Sequence, residues 1–202
     1  MTQEQLAHTL IPLGHYHKEE VRQLAAELDL IVAEKAESQE ICFVPDNDYG
    51  KFIEEYDGKV AEEGLFKDQA GNPVGTHKGI IHYTVGQRKG LGLAMGKPVY
   101  VTDILPENNE VRIGDKEDLL AIGLLAQDVN LIPFDTLPDN MPVTIKIRYN
   151  ATPVPGTATI TEDGRLQVIF DEPQKAVSPG QSVVIYDGDI VVGGGVIQEP
   201  IR

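Results

Sequence analysis

Apolar positions recur along the chain with two different periods. Val21, Leu24, Ala25 and Leu28 fall at i, i+3, i+4 and i+7. They predict a helix over 17–29 with one buried stripe, entered from a loop broken by Pro12 and Gly14. Tyr49, Phe52, Ile53 and Tyr56 repeat that spacing. An Asp or Asn among Asp46, Asn47 and Asp48 supplies a cap and Gly58 a stop, so a second helix is predicted over 46–57. The short apolar run 30–33 reads as a strand. One helix and one short strand cannot close a core. Segment 1–45 therefore reads as the tail of something larger, or as a piece packed on the rest.

From Gly64 the pattern turns to strands. Segments 65–67 and 73–75 flank Gln69-Ala70-Gly71-Asn72, and 99–105 and 110–113 flank Pro106-Glu107-Asn108-Asn109, giving two hairpins. From about Leu119 onward six strands are predicted: 124–131, 143–149, 156–161, 165–170, 182–186 and 191–198. Turns carrying Asp163-Gly164, Ser178-Pro179-Gly180 and Asp187-Gly188 punctuate them. Over 144–149, polar and apolar residues alternate, which sets Lys146 and Arg148 on one face. Short strands at a spacing of roughly ten residues point to a small barrel or sandwich. The fold class is α+β, mainly β.

Length and charge narrow this further. The chain has 202 residues, room for one large domain or several small ones. Its net charge of -15 disfavours nucleic-acid or anionic-membrane binding over the whole surface. The acids are unevenly spread, however. Gln69 to Thr102 holds none, while Lys78, Arg88, Lys89 and Lys97 lie within it, beside His77 and His82. A local positive surface on an acidic body guides a polyanion to one place. No apolar run approaches the roughly 18 residues of a membrane span, and the polar N-terminus does not read as a signal peptide. A lone cysteine, Cys42, allows no internal disulfide, and a reducing cytoplasm is the default compartment.

Most chemistry-bearing residues have a plain alternative. Cys42 has apolar neighbours, as an inert buried thiol would; a nucleophilic role needs a base brought near by the fold. His15-Tyr16-His17 lacks the companions of a metal site. Gly90-Leu91-Gly92-Leu93-Ala94-Met95-Gly96 does not join a clear strand to a helix and reads as a loop rather than a dinucleotide cradle. Gly193-Gly194-Gly195 reads as a place where a strand bends or approaches another backbone. The most unusual string is Tyr83-Thr84-Val85-Gly86-Gln87-Arg88-Lys89-Gly90, whose Gln, Arg and Lys offer donors for phosphate or base edges.

That string, preceded by Gly75-x-His77-x-Gly79, resembles the central-domain signature of bacterial tRNA-specific 2-thiouridylases. Pro12-Leu13-Gly14 with Lys18, Val21 and Arg22, then Ser38-Gln39-Glu40-Ile41-Cys42-Phe43, resembles the end of that family's catalytic domain. Arg148-Tyr149, Ser178-Pro179-Gly180-Gln181 and Gly193-Gly194-Gly195 resemble its C-terminal barrel. The resemblance is co-linear over nearly the whole chain. It implies three parts: 1–45 from the catalytic adenylation domain, 46–118 a small mixed central domain, and 119–202 a six-stranded antiparallel barrel.

The chemistry implied is transfer of sulfur to C2 of the wobble uridine of tRNA. The uridine oxygen is adenylated with ATP and Mg2+, and a cysteine persulfide attacks C2 as AMP leaves. Cys42 occupies the persulfide position. Arg148, Tyr149 and Gln181 occupy tRNA-contact positions. His77, Gln87, Arg88 and Lys89 are further candidates, read from this chain's own residues, for holding the RNA backbone. A sulfur-donor protein of the cysteine desulfurase relay type is the implied second partner, and the chain reads as a monomer without a membrane role. The family's Ser-Gly-Gly-x-Asp-Ser nucleotide loop, and the cysteine that pairs with the persulfide cysteine, do not occur in this sequence. The expectation is therefore a fragment that binds no ATP or metal of its own and is inactive alone. A non-catalytic RNA-binding barrel and an acidic partner-binding β domain are the alternatives.

Overall fold

The computed structural model describes residues 1–35, 44, 48–58 and 60–202. Chain contacts divide it into two compact units, Met1–Tyr56 and Asp57–Arg202.

In the first unit, α1 (Gln3–Ala7) is capped by Thr2, whose hydroxyl accepts the Gln5 N–H at 3.2 Å. Helix α2 (Lys18–Glu27) begins after His17, whose N–H donates to Glu20 Oε2 at 2.6 Å. It ends in a Schellman motif: Asp29 is left-handed at φ 52°, and the N–H groups of Asp29 and Leu30 reach back to the Ala26 and Ala25 carbonyls. Two expectations fail here. No residue of α2 is buried, so the Val21–Leu24–Ala25–Leu28 stripe is not the core seam anticipated. The 30–33 run is a turn rather than a strand, with Ala33 N–H bonded to Leu30 O and Lys35 N–H to Val32 O, and Ile31 is 99% exposed. The Leu30 N–H is taken by the α2 cap and the Ala33 N–H by this turn, which leaves too few amides for a ladder. Helix α3 (Tyr49–Asp57) is capped by Asp48, whose Oδ1 accepts the Lys51 N–H at 3.1 Å, and Gly58 follows it at φ 65°. Only Gly50 of this helix is buried, so its apolar stripe also stays largely open.

Among the described residues the second unit carries ten strands. Strands β1 (Gly64–Lys67), β2 (Pro73–His77), β3 (Tyr100–Leu105) and β4 (Glu110–Gly114) form a sheet ordered β2-β1-β4-β3. The β1/β4 pair is parallel and the other two pairs are antiparallel. Phe66, Val101, Val111 and Ile113 are buried on one face under Tyr83, Leu91 and Val99. Those last three come from the long loop between β2 and β3.

After a short 3-10 turn (Glu117–Leu119) come β5 (Leu120–Leu131), β6 (Met141–Lys146), β7 (Val154–Ile160), β8 (Leu166–Lys175), β9 (Ser182–Asp187) and β10 (Ile190–Ile201). They close into a six-stranded antiparallel barrel in the order β10-β5-β8-β7-β6-β9. Leu124, Ile145, Leu166, Val168, Val183, Ile185, Val192 and Ile197 fill it. Each such side chain contributes about 1.5–3 kcal/mol on burial. The glycine triplet fulfils its expected role: a Cβ at Gly194 would lie 2.2 Å from Val183 O, and one at Gly193 would lie 2.4 Å from Asn130 O. Strand β6 stops at Lys146, three residues short of expectation, because the chain turns there and the Ala151 N–H bonds to Arg148 O at 3.1 Å. The chain's last residue returns to the first sheet, where Arg202 Nη2 donates to Thr102 O at 3.2 Å and Asp103 Oδ1 at 3.0 Å.

Candidate nucleic-acid interface

The alternation that builds β6 continues past its end. Ile145 and Ile147 are buried, while Arg148 and Tyr149 stand outside, Tyr149 being 91% exposed. Lys146 Nζ lies 5.9 Å from the centre of the Tyr149 ring, at the outer limit of a cation–π contact. An exposed aromatic ring flanked by bases can stack on an unpaired nucleobase.

Register explains how distant residues share one rim. The β6/β9 ladder pairs Thr144 with Tyr186, Ile145 with Ile185 and Lys146 with Val184. The end of β6 is therefore beside the start of β9, which Gln181 immediately precedes. The Gln181 backbone is held, its N–H by Ser178 O at 3.3 Å and its C=O by the Ile197 N–H at 2.8 Å. Its exposed side-chain amide has no hydrogen bond among the described residues. Antiparallel closure also brings the end of β8 to this rim. There a groove of ≈ 420 Å³ is lined by Arg148, Asn150, Thr152, Gln174 and Lys175, with apolar neighbours and no carboxylate. Lys175, 27 positions from Arg148 in the chain, carries no signal in the sequence; only the strand order shows it.

The 83–90 loop is fixed to the first sheet by two backbone bonds, Gly86 N–H to Val101 O at 2.8 Å and Val101 N–H to Gln87 O at 2.9 Å. Gln87 Oε1 accepts the Thr84 N–H, and Nε2 donates to Lys89 O, both at 3.0 Å. Its amide is thus engaged on both sides inside the loop, and Gln87 shapes the tip rather than standing free for a ligand. Arg88 and Lys89 project beside it, both exposed. Gly86 adopts φ 90°, and a Cβ there would sit 3.1 Å from Ala176 Cβ, so this loop abuts the barrel one residue after Lys175.

His77 requires a correction. It is 2% exposed, packed edge-on against the rings of Phe66 and Tyr83 at 5.3 and 5.5 Å. Nδ1 accepts the Gly79 N–H at 3.1 Å and Nε2–H donates to Asn109 O at 3.2 Å. Burial holds its pKa below the usual imidazole value, the Asn109 bond only partly opposing this. A neutral imidazole sealed by two backbone bonds organises the β2–loop junction and does not reach an RNA backbone.

A second depression, ≈ 460 Å³, is lined by Asp68, Asp115, Asp118 and Lys97, with Lys97 paired to Asp115 at 2.7 Å. Three carboxylates make it unfit for a polyanion. Cys42 and the motif around it lie outside the described residues. No group of three or more His, Cys, Asp or Glu among the described residues is placed to hold a metal ion. No helix among them is long and apolar enough to cross a membrane.

Three family models match successive stretches of the chain. Residues 1–46 match a family model described as the tRNA methyl transferase HUP domain, 50–115 the tRNA methyl transferase PRC-barrel domain, and 122–197 the aminomethyltransferase beta-barrel domain. The tRNA-specific 2-thiouridylase MnmA of Acetivibrio thermocellus is 58% identical over 198 residues, 98% of this chain and 55% of that protein. The chain belongs to the tRNA-specific 2-thiouridylase family. Its relatives of the same description in Clostridioides difficile and Clostridium botulinum are 52% and 53% identical, over 100% and 98% of the chain. The chain spans about half the length of these 2-thiouridylases, 55–56%.

Proposed function

We propose that this chain carries the tRNA-docking surface and the sulfur-bearing cysteine of a tRNA-specific 2-thiouridylase. In this reading 1–45 belongs to the adenylating domain, 46–118 to the central domain and 119–202 to the RNA-holding barrel. The observation that carries the docking role is a groove with two bases and no carboxylate on a chain of net charge -15. Arg148 grips phosphate, Tyr149 stacks on a base, and the free Gln181 amide reads an edge or a 2′-hydroxyl. Arg88 and Lys89 hold the RNA from the loop that abuts the same rim. Cys42 carries the persulfide that passes sulfur to C2 of the wobble uridine. In the whole enzyme, ATP with Mg2+ supplies activation of the uridine oxygen, and a sulfur-donor protein reloads the cysteine. The setting is cytoplasmic and the chain monomeric.

The test is fluorescence anisotropy of labelled tRNA titrated with the full chain between 50 and 200 mM salt. Binding is expected to weaken linearly in log–log form, and Arg148→Ala and Arg88→Ala each to weaken it about 5–10-fold and flatten the slope by about one unit. No salt-dependent binding, or binding indifferent to both variants, refutes the docking role. With the portion of the relatives' sequence that this chain does not span supplied as a separate polypeptide, Cys42→Ser is expected to abolish 2-thiouridine formation. Intact thiolation would overturn the role given to Cys42.

A further inference from the structure

Within the docking reading above, on which this inference rests, one residue of the rim has no assigned part. Lys175 is the last residue of β8 and lines the acid-free groove together with Arg148. The residue after it is backbone-strained: Ala176 takes φ 54°, a left-handed conformation that a side chain with a Cβ rarely adopts. The strain is held from three sides. Ala176 N–H donates to Leu119 O at 3.1 Å, Ala176 O accepts the Ser178 hydroxyl at 3.1 Å, and Gly86 of the 83–90 loop leaves room for its methyl. A strained, over-determined kink of this sort fixes where the preceding residue stands. Lys175 thus shares its groove with Arg148 and stands one residue before the point where the 83–90 loop meets the barrel.

The charges tell the same story. Lys51, Lys67, Lys97, Arg165 and Arg202 are each within 4.0 Å of a carboxylate. Arg88, Lys89, Arg148 and Lys175 have no such partner among the described residues, a state they share with Lys78, Lys116 and Lys146. On a strongly acidic chain, cations left unneutralised along one rim retain their full attraction for a phosphodiester. We infer that Lys175 is a further tRNA contact, binding the phosphate that lies between those held by Arg148 and by the Arg88–Lys89 tip, so that barrel and loop grip one continuous stretch of RNA backbone. Asn150, Thr152 and Gln174 line the same groove and supply uncharged donors beside it.

The experiment is the same tRNA titration with Lys175→Ala, Lys175→Arg and, as an equal change of charge elsewhere, Lys97→Ala. Lys175→Ala is expected to weaken binding about 5-fold at 100 mM salt and to reduce the log–log slope by about 0.7–0.9. Lys175→Arg is expected to keep the slope, and Lys97→Ala to leave it unchanged. If Arg148→Ala flattens the slope while Lys175→Ala behaves like Lys97→Ala, the Lys175 contact is overturned and the docking reading stands. If the unaltered chain shows no salt-dependent tRNA binding, the docking reading fails and this inference with it.

Discussion

Gly194→Ala separates packing from backbone conformation at the point where the barrel aligns the rim proposed to hold RNA. Gly194 pairs with Val184, and Val184 pairs on its other side with Lys146. A Cβ at Gly194 would meet Val183 O at 2.2 Å, where ordinary contact begins at 3.4 Å, so β9 must recede by roughly 1 Å. Strands that far apart lose their local N–H···O bonds. Overpacking together with one or two weakened ladder bonds costs about 3 kcal/mol. For a unit of this size that lowers Tm by about 6–12 °C. Gly188→Ala is the companion. Gly188 has φ 56° and nothing within 4 Å, so it incurs only left-handed strain, about 1 kcal/mol and about 2–4 °C. Thermal melts followed by circular dichroism read both variants. At temperatures where it remains folded, Gly194→Ala is further expected to bind tRNA more weakly, because displacing Val184 displaces Lys146 and Arg148. If Gly194→Ala melts within 2 °C of the parent, or no lower than Gly188→Ala, the steric reasoning is wrong.

Two further outcomes follow from the loop and its base. His77 is less basic folded than unfolded, so the unfolded chain takes up more protons below about pH 6.5. Stability is therefore expected to fall as pH drops through 6.5 toward the depressed folded value. Urea midpoints from pH 5 to 8 should lose part of that dependence in His77→Gln; an unchanged dependence would show that His77 is not its source. Gln87→Ala removes two exposed bonds inside the loop and is expected to cost under about 1 kcal/mol of stability. It should weaken tRNA binding about 3-fold without changing the salt slope, since no charge is lost; a flattened slope would mean that Gln87 acts otherwise than by posing Arg88 and Lys89.

Period-two patterning carried the barrel well, because its inward residues alternate faithfully. Ile145, Ile185 and Val183 are buried where alternation requires. It failed at 30–33, where four apolar residues with no partner strand fold into a turn, since a strand needs a neighbour that local sequence cannot supply. The α2 and α3 stripes show the same limit: periodicity reveals which face is apolar, not what covers it. Arg88, Lys89, Arg148 and Tyr149 stood out as charged or aromatic residues in turn-rich strings, and all four are exposed. His77 misled because a histidine between glycines looks like a ligand, whereas the fold places a ring stack around it. Lys175 was invisible because its significance comes from strand order alone.

Arg202 has a mechanical consequence. It clasps Thr102 and Asp103 of β3, while the chain running from β4 into β5 already joins sheet to barrel. Two tethers at separate points resist twisting as one swivel cannot, much as a second hinge stops a door from sagging. If the proposed rim holds RNA, a mount of this kind would let a bend in that RNA be imposed by the protein rather than absorbed by it.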